Sequence, residues 1–300
     1  MRGDRGDAAR LRQLQRLRGR GAGVRGGAWG LLGRAPRRFG LPAFNACSAE
    51  MVRACVEAAE EARAPIIVQT YPADIEQVPP FAMTALVRAF AERASVPILL
   101  HLDHGRGFEM AMACLRAGYG SVMFDGAELP FAEVVAQTRR IAEVAHAMGA
   151  AVEVAAESFD HGSVTASRPE AAERLFEAGA DMVAVSVGSE HGRESRLDLE
   201  ALGAIAGRVR RPLVLHGGSG IPAADLAAAR QLGVVKVNVG SALYRALRRV
   251  WEGSADAPNH RAVYAWARAG LTAVALDRIR AMGAEGQAVG RSARAGATPQ

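Results

Sequence analysis

From about residue 40 onward the chain repeats one unit. A short apolar run rich in β-branched residues leads into a polar or glycine turn, and then into an alanine-rich segment with helical periodicity. The strand-like runs are Pro42–Ala46, Pro65–Thr70, Pro97–Asp103, Ser121–Asp125, Ala151–Ala155, Met182–Gly188, Pro212–His216 and Val234–Asn238. Helix-like segments fall between them at Ala49–Glu61, Pro80–Arg93, Phe108–Ala117, Phe131–Met148, Pro169–Ala178, Leu199–Ala206 and Ala223–Leu232. Each is long enough for a right-handed crossover between parallel strands. Eight such alternations predict an α/β chain folded as a (β/α)8 TIM barrel with C-terminal helices, rather than an open doubly wound sheet. A dinucleotide fold is further disfavoured because no G-x-G-x-x-G follows the first strand.

Length and composition suit one large domain, since the chain has 300 residues and 50% of them are hydrophobic. The expected division is a basic, disordered N-terminal extension over residues 1–28, a single barrel over 29–287 and a flexible tail over 288–300. The net charge of +6 is a property of the extension: arginines from Arg2 to Arg38 face only Asp4 and Asp7, and the remainder is slightly acidic. Such an arm can touch nucleic acid or an anionic surface, or simply be solvated; it lacks the interleaved aromatics of a stacking platform, so a nucleic-acid partner is not expected. No run is long and apolar enough for a membrane span, and the arginine-rich start is a poor secretory signal. Cys47, Cys55 and Cys114 are odd in number and lack metal-ligand spacing, which reads as reduced thiols in a cytoplasmic protein.

Three histidines sit where a strand-like run meets glycine: His104 in His101-Leu-Asp-His-Gly, His191 in Ser-Glu-His-Gly, and His216 in Leu-His-Gly-Gly-Ser-Gly. Strand ends of a parallel barrel share one rim, so three imidazoles delivered there can hold a metal and leave one position open to substrate. Asp103, beside His104, is placed either to carry a substrate hydroxyl's proton, or to orient a ligand or cap the following helix. His101 lies deeper in its strand and reads as an interior histidine.

The last two strands end in glycine and hydroxyl residues. Gly217, Gly218, Ser219 and Gly220 offer backbone N–H groups and a hydroxyl, and Asn238-Val-Gly-Ser241 leads into a helix N-terminus that favours an anion. Loops after strands seven and eight are the usual phosphate position in this architecture, although two tight turns would also need these glycines. Lys236, the only lysine, lies two residues before Asn238 on the same strand face but deeper in the barrel. A buried ion pair is the expected role.

Taken in order, Asn45 in Pro-Ala-Phe-Asn, His-Leu-Asp-His-Gly, Ser-Val-Met-Phe-Asp, Ser-Glu-His-Gly, Leu-His-Gly-Gly-Ser-Gly-Ile-Pro and Lys-Val-Asn-Val-Gly-Ser resemble the class II, zinc-dependent ketose-bisphosphate aldolases, which include the fructose- and tagatose-bisphosphate enzymes. The resemblance runs from about residue 30 to 287. It implies a lyase that cleaves a phosphorylated ketose to dihydroxyacetone phosphate and an aldehyde through a metal-stabilised enediolate. His104, His191 and His216 would hold Zn2+, and Asp103 would serve the aldehyde-derived hydroxyl. Asn45, Gly192, Gly217, Ser219, Asn238 and Ser241 match positions that bind the substrate, beside a monovalent cation (Na+ or K+). A homo-oligomer, dimer or tetramer, is implied as well.

The chain is a divergent member on this reading. After strand five the family carries two glutamates one residue apart, then a glycine-rich loop with an acidic proton carrier. Here Glu153 matches the first, Ala155 stands at the second, and the loop shortens to Glu157-Ser-Phe-Asp-His161-Gly. Glu157 is the first candidate for the missing carrier, with Asp160 and His161 behind it. The family's C-terminal Asp-Pro-Arg aligns without gaps to Ala262-Val-Tyr264, and only a local insertion would bring the neighbouring Arg261 into register, so the aldehyde half is expected either to lack a phosphate or to bind it differently. Alternative readings are another metal-dependent lyase, a transaldolase or an epimerase on the same site, or a non-catalytic sugar-phosphate-binding barrel.

Overall fold

A computed structural model describes residues 39–155, 167–189 and 192–288. Eight parallel strands close into a barrel in sequence order: β1 (Leu41–Asn45), β2 (Ile66–Thr70), β3 (Ile98–Gly105), β4 (Ser121–Phe124), β5 (Ala151–Ala155), β6 (Met182–Ala184), β7 (Leu213–Leu215) and β8 (Val234–Val239). Closure is made by β8 pairing with β1, with Leu41 opposite Lys236 and Ala43 opposite Asn238. The helices in chain order are α1 (Ala49–Ala62), α2 (Pro72–Gln77), α3 (Pro80–Ala91), α4 (Phe108–Ala117), α5 (Phe131–Ala147), α6 (Pro169–Glu177), α7 (Leu199–Val209), α8 (Ala223–Gln231), α9 (Ser241–Glu252) and α10 (His260–Ala281). The expected barrel with C-terminal helices is the observed fold.

Local chemistry marks several of the boundaries. The Ser48 hydroxyl accepts from Met51 N–H at 3.3 Å to cap α1, and Asp198 and Asn259 cap α7 and α10 in the same way. In α10 the buried residues Ala267, Leu271, Ala275 and Ile279 recur every fourth position, which gives one apolar stripe that packs against α1. Beyond α10, Met282 accepts from Gly40 N–H and Ala62 accepts from Gly286 N–H, so the C-terminal helix is fastened to the start of the barrel.

Two elements differ from the sequence expectation. Strand β6 ends at Ala184 instead of Gly188, because Ser186 turns aside to exchange hydrogen bonds with Ser167: its N–H donates to the Ser167 hydroxyl, and its carbonyl accepts from Ser167 N–H. Helix α2 was not expected. It spans only six residues, too few for periodicity to show, yet it has proline in its first turn and Asp74 accepting from Tyr71 N–H at 2.9 Å.

Strand faces that point into the barrel are apolar at many positions, but they also carry Gln69, His101, Glu153 and Lys236, all with no solvent exposure. Buried polar side chains must find partners, so this part of the interior is a hydrogen-bonded network that underlies the rim.

Candidate active site

The sequence of β3 delivers two functional side chains in succession. Alternation would send Asp103 and His104 to opposite faces, but the pairing of β3 with β4 slips between Leu102 and Gly105, and His104 adopts φ 50°. This left-handed backbone is uncommon for a residue with a Cβ, and it turns both side chains to the same rim. Ligand atoms of Asp103, His104 and His216 all lie within 4.8 Å of one another. His216 stands one residue beyond β7, its ring centroid 4.7 Å from that of His104.

Each histidine is oriented by a carboxylate. Nδ1 of His104 lies 2.5 Å from Asp125 Oδ2, and Nε2 of His216 lies 3.1 Å from Glu153 Oε1. With those carboxylates ionised, the facing ring nitrogens carry the protons. Nε2 of His104 and Nδ1 of His216 then keep their lone pairs. Burial alone would raise the Asp125 carboxyl, but the bond and charge of His104 hold it below the usual carboxylate range. Two imidazoles, each backed by a carboxylate, with a further carboxylate beside them, form a donor set that suits a borderline divalent cation such as zinc. The third expected ligand, His191, lies outside the described residues.

Asp103 is held by three amides. Asn45 Nδ2 and Gln69 Nε2 donate to Oδ2 at 2.8 and 3.1 Å, and Asn238 Nδ2 donates to Oδ1 at 2.8 Å. Burial pushes its carboxyl up, but His104, His216, Lys236 and the Asn45 amide together hold it below the ordinary range, so it rests as the anion. The two asparagines are therefore in the expected place but spend their amide N–H groups on this carboxylate. Lys236 forms the expected buried ion pair: its Nζ donates to Glu153 Oε2 at 2.8 Å and to Asn238 Oδ1 at 2.7 Å. His101 is the expected interior histidine, bonded through Nδ1 to Ser121 at 2.9 Å and pushed down to about 3 by burial and then by Lys236.

A cavity of about 480 Å³ opens above this network, lined by Asn45, Asp103, His104, Gly217, Ser219 and Asn238 among others. Its β7–β8 side contains Gly240 and Ser241, at the N-terminus of α9. The structure narrows the glycine run: Gly218 N–H is committed to Asn238 O and Gly220 N–H to Gly217 O, which leaves Gly217 and Ser219 as the lining residues. The Ser219 hydroxyl accepts from Ala242 N–H at 3.1 Å, tying this loop to the first turn of α9. Gly192, at φ 77°, lies beside Ser241, where an added Cβ would stand 3.6 Å from its hydroxyl oxygen. Thus Asn45, Asp103, His104, Gly192, Gly217, Ser219, Asn238 and Ser241 all gather at one rim. Glu157, Asp160 and His161 lie outside the described residues.

Several residues at this rim had no role in the sequence reading. Gln69 was signalled by a single amide inside the apolar run Ile-Ile-Val-Gln-Thr, and Asp125 by its place at the end of Ser-Val-Met-Phe-Asp. Tyr71, Asp74 and Tyr244 also line the cavity, and no pattern in the sequence links them. Among the thiols, Cys55 is buried and pushed up to about 12 by that burial, as an inert core residue.

The model of the family described as fructose-bisphosphate aldolase class-II matches residues 31–287. The D-tagatose-1,6-bisphosphate aldolase subunit GatY of Klebsiella oxytoca is 33% identical over 266 residues, covering 83% of this chain and 94% of that protein. A sulfofructosephosphate aldolase of Alkalicoccus urumqiensis is 33% identical over 218 residues, 68% of this chain and 76% of that protein. Among solved structures, the YdjI aldolase of Escherichia coli K12 superposes with a TM-score of 0.77 at 28% identity, covering 86% of this chain and 97% of that one.

Proposed function

The chain belongs to the class-II fructose-bisphosphate aldolase family and is an aldolase, a carbon–carbon lyase, and from that premise we propose that it cleaves a phosphorylated ketose to dihydroxyacetone phosphate and an aldehyde, with zinc held by His104, His191 and His216. The observation that carries this reading is the convergence of an amide-clamped carboxylate, Asp103, with the ligand atoms of His104 and His216 at one rim cavity. Zinc bound there supplies a Lewis acid that offsets the negative charge developing on the ketone oxygen as the carbon–carbon bond breaks.

The remaining work falls to side chains. Asp103, an anion facing the cavity, takes the proton of the hydroxyl that becomes the aldehyde oxygen; Asn45, Gln69 and Asn238 hold it in position. Gly192, Gly217, Ser219 and Ser241, with the N-terminus of α9, receive the phosphate of the dihydroxyacetone phosphate half, beside a monovalent cation. Glu157 returns a proton to the carbon left by the departing aldehyde. Lys236 forms no imine with substrate, because its ammonium is buried between Glu153 and Asn238.

The domain assignment accompanying this reading is a single barrel over 29–287 between a basic extension and a short tail, acting as a homo-oligomer in the cytoplasm. Among the described residues, no helix is long and apolar enough to cross a membrane. The test is steady-state release of dihydroxyacetone phosphate from a panel of ketose phosphates, with and without chelator. Chelator-sensitive release supports the aldolase; isomerisation without release would point to an epimerase, and binding without turnover to a sugar-phosphate-binding barrel.

A further inference from the structure

The rim cavity is chemically lopsided. On one side lie Gly217, Ser219, Gly240 and Ser241 at the N-terminus of a twelve-residue helix, a setting for a phosphate. Around Asp103 and His104 the remaining wall is made of Tyr71, Ala73, Asp74 and Tyr244. No lysine or arginine lines this cavity among the described residues. Arginine is the usual residue where a second phosphate must be gripped, since its planar fork pairs with two oxygens at once.

Asp74 is fixed in place rather than swinging in solvent. Its Oδ2 accepts from Tyr71 N–H at 2.9 Å, which anchors the carboxylate at the start of α2, while the Tyr71 ring packs edge-on against His104 with centroids 5.6 Å apart. Burial and the charges of Asp74 and Asp103 keep the Tyr244 hydroxyl protonated, and burial, with the Asp103 charge, pushes the Asp74 carboxyl up. Carboxylates accept from hydroxyls, and tyrosine hydroxyls both donate and accept. Such a wall welcomes neutral polyols and repels anions.

Resting on the aldolase reading above, we propose that Asp74, Tyr71 and Tyr244 form the aldehyde subsite and select an uncharged, hydroxyl-bearing aldehyde, so that the substrate is a ketose 1-phosphate and not a bisphosphate. The adjoining recess beyond His104 does not reverse this preference. Arg106 lines it, but so do Asp125 and Glu128, and Asp125 is already bonded to His104. A like charge held roughly 8 Å from a carboxylate at an effective permittivity of about 20 weakens binding roughly thirtyfold.

The experiment compares kcat/KM of the zinc-loaded protein for hexulose 1-phosphates and for the matching 1,6-bisphosphates, in wild type, Asp74→Asn and Tyr244→Phe. Asparagine can still cap α2, so Asp74→Asn removes the charge without removing the cap. The expected result is at least a tenfold preference for the monophosphate in wild type, reduced at least fivefold in Asp74→Asn. Tyr244→Phe is expected to raise KM for the monophosphate with little change in kcat. Calorimetric binding of the same two ligand sets makes the comparison without turnover. Absent cleavage with monophosphate-selective binding would overturn the aldolase reading and leave the subsite standing. A wild-type preference for the bisphosphate overturns the subsite, whether Arg106→Ala abolishes that preference, locating the anion in the adjoining recess, or leaves it intact, pointing to a cation from a second copy of the chain.

Discussion

Replacing Lys236 with methionine removes one charge from the floor of the site while keeping the length of the side chain. In the native protein Nζ lies 2.8 Å from Glu153 Oε2 and 2.7 Å from Asn238 Oδ1, and neither charged partner is exposed to solvent. After the substitution the partners of Glu153 among the described residues are the imidazoles, with His216 Nε2 at 3.1 Å and His101 Nε2 at 3.6 Å. Breaking a buried pair from one side strands the other charge, at a cost of about 3–5 kcal/mol. At ~2–4 °C per kcal/mol for a domain of this size, the midpoint should fall by roughly 6–20 °C. Urea denaturation of chelator-treated protein at pH 7 reads this directly. Adding Glu153→Gln to Lys236→Met should restore at least half of the loss, because the stranded charge is gone while an acceptor for His216 remains. A loss below about 1 kcal/mol, or a double variant as unstable as the sum of the singles, would refute the ion-pair account.

The sign of the pH dependence is a second check on the same pair. Burial pushes the Glu153 carboxyl up, but Lys236 and the histidines outweigh it and hold it well below the ordinary glutamate range. A depressed folded-state value contributes stability that is complete above the unfolded value and is lost as pH falls below it. In Lys236→Met the depression is relieved, and protonation of Glu153 relaxes the stranded charge. The gap between wild type and variant should therefore be widest near neutral pH and narrow as the pH falls through the carboxylate range. A gap that stays constant from pH 7 to pH 4 would show that the cost is packing and not charge.

Elemental analysis should find close to one zinc per chain, and His104→Ala, His191→Ala and His216→Ala should each abolish tight binding; no uptake of divalent metal by the apoprotein would sink the metal site. Borohydride should trap no substrate adduct at Lys236, and recovery of a reduced adduct there would restore the imine mechanism. Asp103→Asn should lose carbon–carbon cleavage yet retain hydrogen exchange on dihydroxyacetone phosphate, whereas loss of the Glu157 carboxylate should slow that exchange by on the order of 10² to 10⁴. Exchange that survives substitution at Glu157, Asp160 and His161 alike would locate the base elsewhere.

The barrel was legible because its two periods differ. Runs such as Ile66–Thr70 cannot be confused with the alanine-rich spacers around them once glycine and proline mark the joints. What could not be read was set by partners distant in sequence. The end of β6 depends on Ser167, and α2 depends on one cap within a six-residue span. In the site, Asp103, His104 and His216 stood out because polar residues at the glycine-marked end of an apolar strand have few other reasons to be there. That His104 would take φ 50° follows from a slip in pairing against β4, which no single strand encodes. The Asp74 wall belongs to the same class, since Tyr244 comes to it from the far side of the barrel closure.

The position of the only lysine ties these layers together. An asparagine amide can be turned either way, and its orientation in a protein is decided by its neighbours. Beside Lys236, Asn238 must direct Oδ1 toward the ammonium, so its Nδ2 is left to donate to Asp103. The same ammonium fixes Glu153, whose other oxygen faces the proton on His216 Nε2 and leaves Nδ1 with its lone pair. One buried cation thus sets the hydrogen-bond geometry on both sides of the rim, at the Asp103 carboxylate and at the His216 imidazole. A lysine so engaged is unsuited to attack a ketone, because forming an imine would require giving up the charge that orders both neighbours.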